Sequence, residues 1–196
     1  MKRKRGISGS GLVDLQGAVA VLKSGGLIVM PTDTVYGVAA HTDTPGSREK
    51  LYEAKKRDGR KPIPVLVAGL GEAERRGGEF SAVARDLVRR FWPGPLTIVV
   101  PNSGVAVGYR MPDHSVALEL IRLEGGALYV TSANLSGSPP ADNVEAALQM
   151  LAPLATAGIE GGPKPAGTVS TVVRVDGDTV EILRAGAISR NELNHA

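Results

Sequence analysis

Short apolar runs separated by polar turns set the rhythm of this chain. Leu27-Ile28-Val29-Met30, Gly37-Val38-Ala39-Ala40, Pro64-Val65-Leu66-Val67, Leu96-Thr97-Ile98-Val99-Val100 and Leu128-Tyr129-Val130 each read as a strand. Another strand ends at Tyr109-Arg110-Met111, because Pro112 cannot donate to a ladder. Val169–Val175 and Thr179–Leu183 flank Asp176-Gly177-Asp178, a hairpin signal. Between these runs, apolar residues recur at helical spacing. Leu12, Leu15, Val19 and Leu22 predict a helix over 12–23, ended by Gly25-Gly26. Helices are also expected over 48–56 with Ser47 as N-cap and over 81–91 capped by Ser81. Two more are expected, from an Asp113 cap to about 121, and over 142–151. Residues 158–167, rich in Gly and Pro, read as a loop, and 184–188 close the domain. Strands and helices intermix without a repeat or an internal linker. The pattern therefore predicts an α/β protein, a mixed sheet with helices packed on it. Residues 1–11 are expected to form a disordered basic arm, 12–188 one domain and 189–196 a C-terminal tail.

Composition narrows the class. The 196 residues, 42% of them apolar, suffice for one domain with a sizeable core. No apolar run reaches the length of a membrane span and no secretory signal is visible, so a cytosolic address is expected. Cysteine is absent, which excludes disulfides, Cys-ligated zinc and thiol chemistry. His41, His114 and His195 lack metal-ligand spacing. Net charge is only +3, yet seven basic residues against three acidic ones lie between Arg48 and Lys61. The chain's cationic excess is thus concentrated in one segment that could meet an anion.

Four polar clusters follow strands or occupy tight loops: Pro31–Gly37, Lys55–Lys61, Thr131–Gly137, and Gly167–Thr171 with Arg184 nearby in sequence. Hydroxyls, an amide and several cations, without a thiol or a clear histidine base, suit binding of phosphate or carboxylate. Arg57 and Arg110 can make bidentate contacts, whereas Lys55 and Lys61 act more as point charges. Taken singly, each cluster also has a plain structural use. Lys55 and Lys56 can offset a helix dipole, Ser132 and Asn134 can cap a turn, and Ser170 and Thr171 fit an ordinary strand. No Gly-x-x-x-x-Gly-Lys-Ser/Thr pattern is present, so a nucleotide would be held in some other way.

Together the clusters resemble the YrdC-like domain of threonylcarbamoyl-AMP synthases. The matching stretches are Pro31–Gly37, Lys55-x-Arg57 with Lys61-Pro62, Trp92-Pro-Gly-Pro-Leu-Thr97 and Arg110-x-Pro112-Asp113-His114. They continue with Thr131-Ser-Ala-Asn-Leu-Ser-Gly137, Gly167-x-x-Ser-Thr171 and Leu183-Arg-x-Gly186. Seven motifs in the family's order span about residues 12 to 188. The resemblance implies a twisted α/β sheet with a concave, positively charged face. It implies condensation of L-threonine, bicarbonate and ATP to threonylcarbamoyl-adenylate and pyrophosphate, with Mg2+ accompanying ATP. A partner complex would then transfer the threonylcarbamoyl group to tRNA.

By the same resemblance, Thr34 and Arg110 contact threonine, Ser170 completes that pocket, and Thr32 is a weaker candidate beside Thr34. Arg57, Lys61, Ser132 and Arg184 hold ATP, with Pro140 near the nucleotide. Lys55 and Asn134, with Arg57 and Ser132, are assigned to the phosphate and reacting-group region. Three positions depart from the family pattern. Leu66 stands where some members carry histidine, Asp58 follows Arg57 where proline is common, and Arg174 replaces a frequent aspartate. The chain looks like the short, single-domain type. Two other expectations compete: an RNA-binding module docking tRNA or double-stranded RNA on the basic face, and a paralogue without synthase activity. An aromatic content of 4% disfavours base stacking but not backbone binding.

Overall fold

The structure, a computed structural model, describes residues 11–194. The expected basic arm, except Gly11, lies outside the described residues, as does His195. The chain opens with α1 (Leu15–Lys23), β1 (Leu27–Met30), β2 (Gly37–His41), α2 (Ser47–Ala54) and β3 (Val65–Val67). Two helices follow, α3 (Leu70–Arg75) and α4 (Ala82–Phe91), then β4 (Leu96–Asn102), β5 (Val105–Arg110) and α5 (Ser115–Leu123). The last elements are β6 (Ala127–Ser132), α6 (Val144–Leu151), β7 (Ala155–Gly158), β8 (Thr171–Asp176), β9 (Thr179–Arg184) and α7 (Arg190–Asn194). The strands form one mixed sheet in the order β7-β1-β2-β6-β3-β5-β4-β8-β9. No helix among the described residues is long and apolar enough to cross a membrane.

The sheet is lined unequally on its two faces. On one face, Leu27, Val29, Val38 and Ala40 pack against α2 and α6. Further along that face, Val65, Ile98, Val100, Tyr109 and Val173 pack against α3 and α4. On the other face, Ile28, Met30, Ala39, Leu128 and Val130 pack against α1 and α5. The residues that alternate with the second group, including Thr97, Val99, Gly108 and Val172, border a cavity instead of a helix. Along β4, β5 and β8 the period of two therefore makes one side core and the other side open surface.

Several local expectations are corrected. α1 begins at Leu15 because Asp14 caps it, its side chain accepting from Gly17 N at 2.7 Å. Leu12 instead bridges Gly158 beside β7. Gly46, not Ser47, is the N-cap of α2, and the Ser47 hydroxyl donates to the His41 carbonyl. His114, not Asp113, caps α5, its Nδ1 accepting from Ala117 N at 3.5 Å. α6 starts at Val144 under an Asn143 cap. Three elements are absent from the sequence expectation. α3 is only six residues long. β7, Ala-Thr-Ala-Gly, has no strand-like composition and exists because it pairs in parallel with β1. α7 lies in the expected tail, and its Leu193 is buried in the core.

Candidate active site

A cavity of about 470 Å³ occupies the uncovered face of β3, β5, β4 and β8. That volume is typical of small-molecule sites. Thr32, Thr34, Arg57, Lys61, Arg110, Ser132, Ser170 and Arg184, all singled out from sequence, line it. Lys55, Asn134 and Pro140 do not.

One end is built around Arg110, the last residue of β5 and only 5% exposed. Its Nε donates to Gly94 O at 3.0 Å, so the rigid Trp92-Pro-Gly-Pro turn fixes the stem. Nη1 donates to Thr34 Oγ1 at 2.9 Å, and Nη2 is ion-paired with Asp33. Burial pulls the guanidinium's pKa down and the Asp33 charge opposes that pull. Thr32 holds the loop that presents Thr34. Its hydroxyl donates to Val35 O at 2.6 Å, accepts from Thr34 N at 3.2 Å, and sits 3.0 Å from Thr34 Oγ1. The loop before β8 packs on this turn, with Gly167 N donating to Thr34 O at 2.7 Å.

Ser170 stands opposite, immediately before β8. Its hydroxyl lies 2.9 Å from Thr97 Oγ1 and accepts from Arg184 Nη2 at 2.9 Å. Arg184 also donates twice to the Ser170 carbonyl. Gly186 allows this closure: a Cβ there would meet Val169 O at 2.4 Å. Arg184 has its pKa lowered by burial and by the neighbouring Arg57 charge.

The third wall is the loop after α2. Arg57 donates from Nε to Lys61 O at 3.4 Å and from Nη2 to Pro62 O at 3.2 Å. It has no carboxylate partner among the described residues. Lys55, by contrast, is turned into the protein. Its Nζ donates to Ser132 O and to Asn134 O (2.6 Å) and Oδ1 (3.3 Å). Ser136 N returns a bond to Lys55 O at 3.0 Å, and Asn134 Nδ2 donates to Leu135 O and Ser138 O. Lys55 therefore ties the end of α2 to the loop that carries Ser132. Burial, aided by Arg57, lowers its pKa to about 8.

Arg57, Lys61, Arg110, Arg174 and Arg184 all line the cavity, and no acidic residue does. Asp33, paired behind Arg110, is the carboxylate next to it. Like charges gathered this closely repel unless an anion joins them. The cavity is thus built for a polyanion at one wall and, beside Arg110, for a smaller anion flanked by hydroxyls. Sequence reasoning overlooked Asp33, Thr97 and the cavity position of Arg174. Asp33 sits between Thr32 and Thr34, and the signal for it is an arginine that needs a buried counter-ion. Among the described residues no group of three His, Cys, Asp or Glu side chains could hold a metal ion.

Comparison with known proteins shows the family. A model of the Sua5/YciO/YrdC family, described as "Telomere recombination", matches residues 20–186. A Mycobacterium leprae protein named as a putative threonylcarbamoyl-AMP synthase is 41% identical over 182 residues, covering 88% of this chain and 82% of the relative. The Bacillus subtilis threonylcarbamoyl-AMP synthase is 35% identical over 187 residues, covering 90% of this chain and 54% of the relative. The crystal structure of P. abyssi Sua5 complexed with L-threonine superposes with a TM-score of 0.86 at 31% identity, covering 92% of this chain and 56% of that one. E. coli YciO shares the fold, with a TM-score of 0.82 at 21% identity and coverage of 91% and 92%. The chain spans about half the length of the B. subtilis and P. abyssi relatives and most of the M. leprae one. With two thirds and more of its length matched, the chain belongs to the Sua5/YciO/YrdC family.

Proposed function

We propose that this protein is an L-threonylcarbamoyladenylate synthase, a nucleotidyltransferase that condenses L-threonine, bicarbonate and ATP. The observation that carries the proposal is the convergence of five cations on one cavity with a hydroxyl-lined pocket at one end. Relatives bearing the synthase name, and a similar structure solved with L-threonine, support it.

Arg110 receives the threonine carboxylate, with Thr34 and Ser170 supplying hydroxyls around the amino acid. The threonine nitrogen attacks the carbon of carbon dioxide derived from bicarbonate, loses a proton, and becomes a carbamate. A carbamate oxygen then attacks the α-phosphorus of ATP. The bond from that phosphorus to the bridging oxygen breaks, and pyrophosphate leaves with the electron pair. Arg57, Lys61 and Arg184 hold the phosphates and offset the charge that builds on them, with Ser132 donating a further hydrogen bond. Lys55 and Asn134 position the Ser132 loop without touching the reactants. Pro140, farther along the same loop and outside the cavity lining, is assigned to the nucleotide by the resemblance alone. Mg2+ accompanying ATP would offset charge on the phosphates; the cavity lining offers cations and hydroxyls and, among the described residues, no carboxylate cluster to hold a metal ion by itself. The product is passed to a tRNA-modifying transferase in the cytosol.

Pyrophosphate release from MgATP is the test. The proposal expects release that requires both L-threonine and bicarbonate and is much weaker with L-serine. ATP binding without such release would favour a paralogue of other specificity. Salt-sensitive RNA binding without ATP binding would favour an RNA-binding module.

A further inference from the structure

A second cavity, about 410 Å³, lies on the opposite face of the sheet, between α2, the end of α3 and the β4–β5 hairpin. Val65, Val107, Tyr109 and Tyr129 border it, alternating along their strands with Leu66, Gly108, Arg110 and Val130, which border the first cavity. Three of the protein's four tyrosines, Tyr52, Tyr109 and Tyr129, meet there. So do Arg48, Arg60, Arg76 and Asn102, with Asp43 as the one acidic residue of the lining.

The three arginines differ in how they are occupied. Arg76 is held by Asp43 at 3.0 Å and Glu72 at 3.1 Å. Arg60 pairs with Asp58 on the surface. Arg48 has no carboxylate partner among the described residues, and its guanidinium lies 5.9 Å from the centroid of the Tyr129 ring. A guanidinium without a carboxylate partner beside tyrosine rings is the set of groups that takes a flat heterocycle carrying a phosphate. We infer that this cavity binds a nucleotide, its ring against Tyr52 and Tyr129 and its phosphate toward Arg48 and Arg60.

The two cavities share a wall. The loop after α2 turns Arg57 and Lys61 to the first and Gly59 and Arg60 to the second, and Pro62 borders both. Tyr52 Oη donates to Lys61 O at 3.1 Å, the same carbonyl that accepts from Arg57 Nε. A nucleotide packed on the Tyr52 ring fixes the position of that ring and so changes the anchor of Arg57. Occupancy of the second cavity thus alters affinity at the first, and the coupling is reciprocal.

Equilibrium dialysis of labelled AMP tests this. Arg184→Ala weakens the first cavity about tenfold, so the expected result is a class of saturable AMP sites whose affinity is unchanged in this variant. Adding Arg48→Glu weakens that binding at least tenfold; Arg48 is exposed, and thermal melting verifies the fold. In the otherwise unaltered protein, AMP shifts the KM for ATP beyond its competition at the first cavity, and Tyr52→Phe, which lacks the bond to Lys61 O, removes that excess while AMP still binds. A short oligoadenylate that binds the Arg184→Ala variant more tightly than AMP assigns the nucleotide to RNA; equal or weaker binding assigns it to a free nucleotide. No saturable binding of either probe to Arg184→Ala, or binding indifferent to Arg48→Glu, overturns the inference.

Discussion

The two ends of the first cavity hold their cations in opposite ways. At the Arg110 end, every partner is fixed before a ligand arrives: the Gly94 carbonyl, the Thr34 hydroxyl and the Asp33 carboxylate. At the Arg57 end, the cation leans only on two main-chain carbonyls of its own loop, at 3.2 and 3.4 Å. A small zwitterionic amino acid offers few atoms, so its pocket gains from preorganisation. A triphosphate is large and mobile and supplies its own charge, so exposed cations on a loop can close on it. The difference separates a residue whose loss damages both fold and binding from residues whose loss damages binding alone.

Arg110→Ala should have the largest effect. It strands Asp33 in a half-closed site, and breaking a buried pair costs about 3 kcal/mol. Urea denaturation should show that loss, and kcat/KM for threonine should fall at least about a hundredfold. Retained stability would mean that this end is not preorganised. Arg110→Lys, lacking the planar fork, should recover little of the activity.

Arg57→Ala and Arg184→Ala come next. Each should raise the KM for ATP about tenfold or more, the equivalent of one charge-assisted contact. Arg57→Ala should leave the melting temperature unchanged, because no buried partner is orphaned. A large loss of stability in Arg57→Ala would erase the contrast between the two ends.

Lys55 sharpens the comparison through pH. Its pKa is lowered to about 8 in the folded protein, so the unfolded chain holds that proton more tightly at higher pH. Stability therefore rises with pH from about 8 toward the ordinary lysine value, by at most about 1.4 kcal/mol per pH unit. The difference in unfolding free energy between the natural protein and Lys55→Met should climb between pH 8 and 10. A flat difference would place the ammonium in water and not in the Ser132–Asn134 loop.

The smallest effect should come from Thr97→Val, which removes the hydroxyl 2.9 Å from Ser170 and keeps the shape. One neutral hydrogen bond is worth about 1 kcal/mol, so the KM for threonine should rise about fivefold with kcat little changed. An unchanged KM would take Ser170 out of the threonine pocket.

Much of this site was legible because its residues cluster in short motifs at strand ends. Residue type alone left Thr34, Arg110, Ser170 and Arg184 open to plain structural uses; the resemblance carried by the ordered motifs singled them out, and the structure brings all four to one cavity. Lys55 looked the same in sequence as Lys61, yet one is buried in a carbonyl cage and the other is exposed. Direction along a helix end distinguishes them, and it depends on where the Ser132 loop docks.

Short apolar runs determined the strands, and Pro and Gly determined many of their ends, because these are local steric effects. Tertiary structure alone decided the rest. β7 is a strand only because β1 offers it an edge, and α7 is ordered with Leu193 seated in the core. The order of the strands brings Asp33 under Arg110 from 77 residues away. Such pairings depend on desolvation and on a partner distant in the chain, neither of which a single stretch of sequence contains.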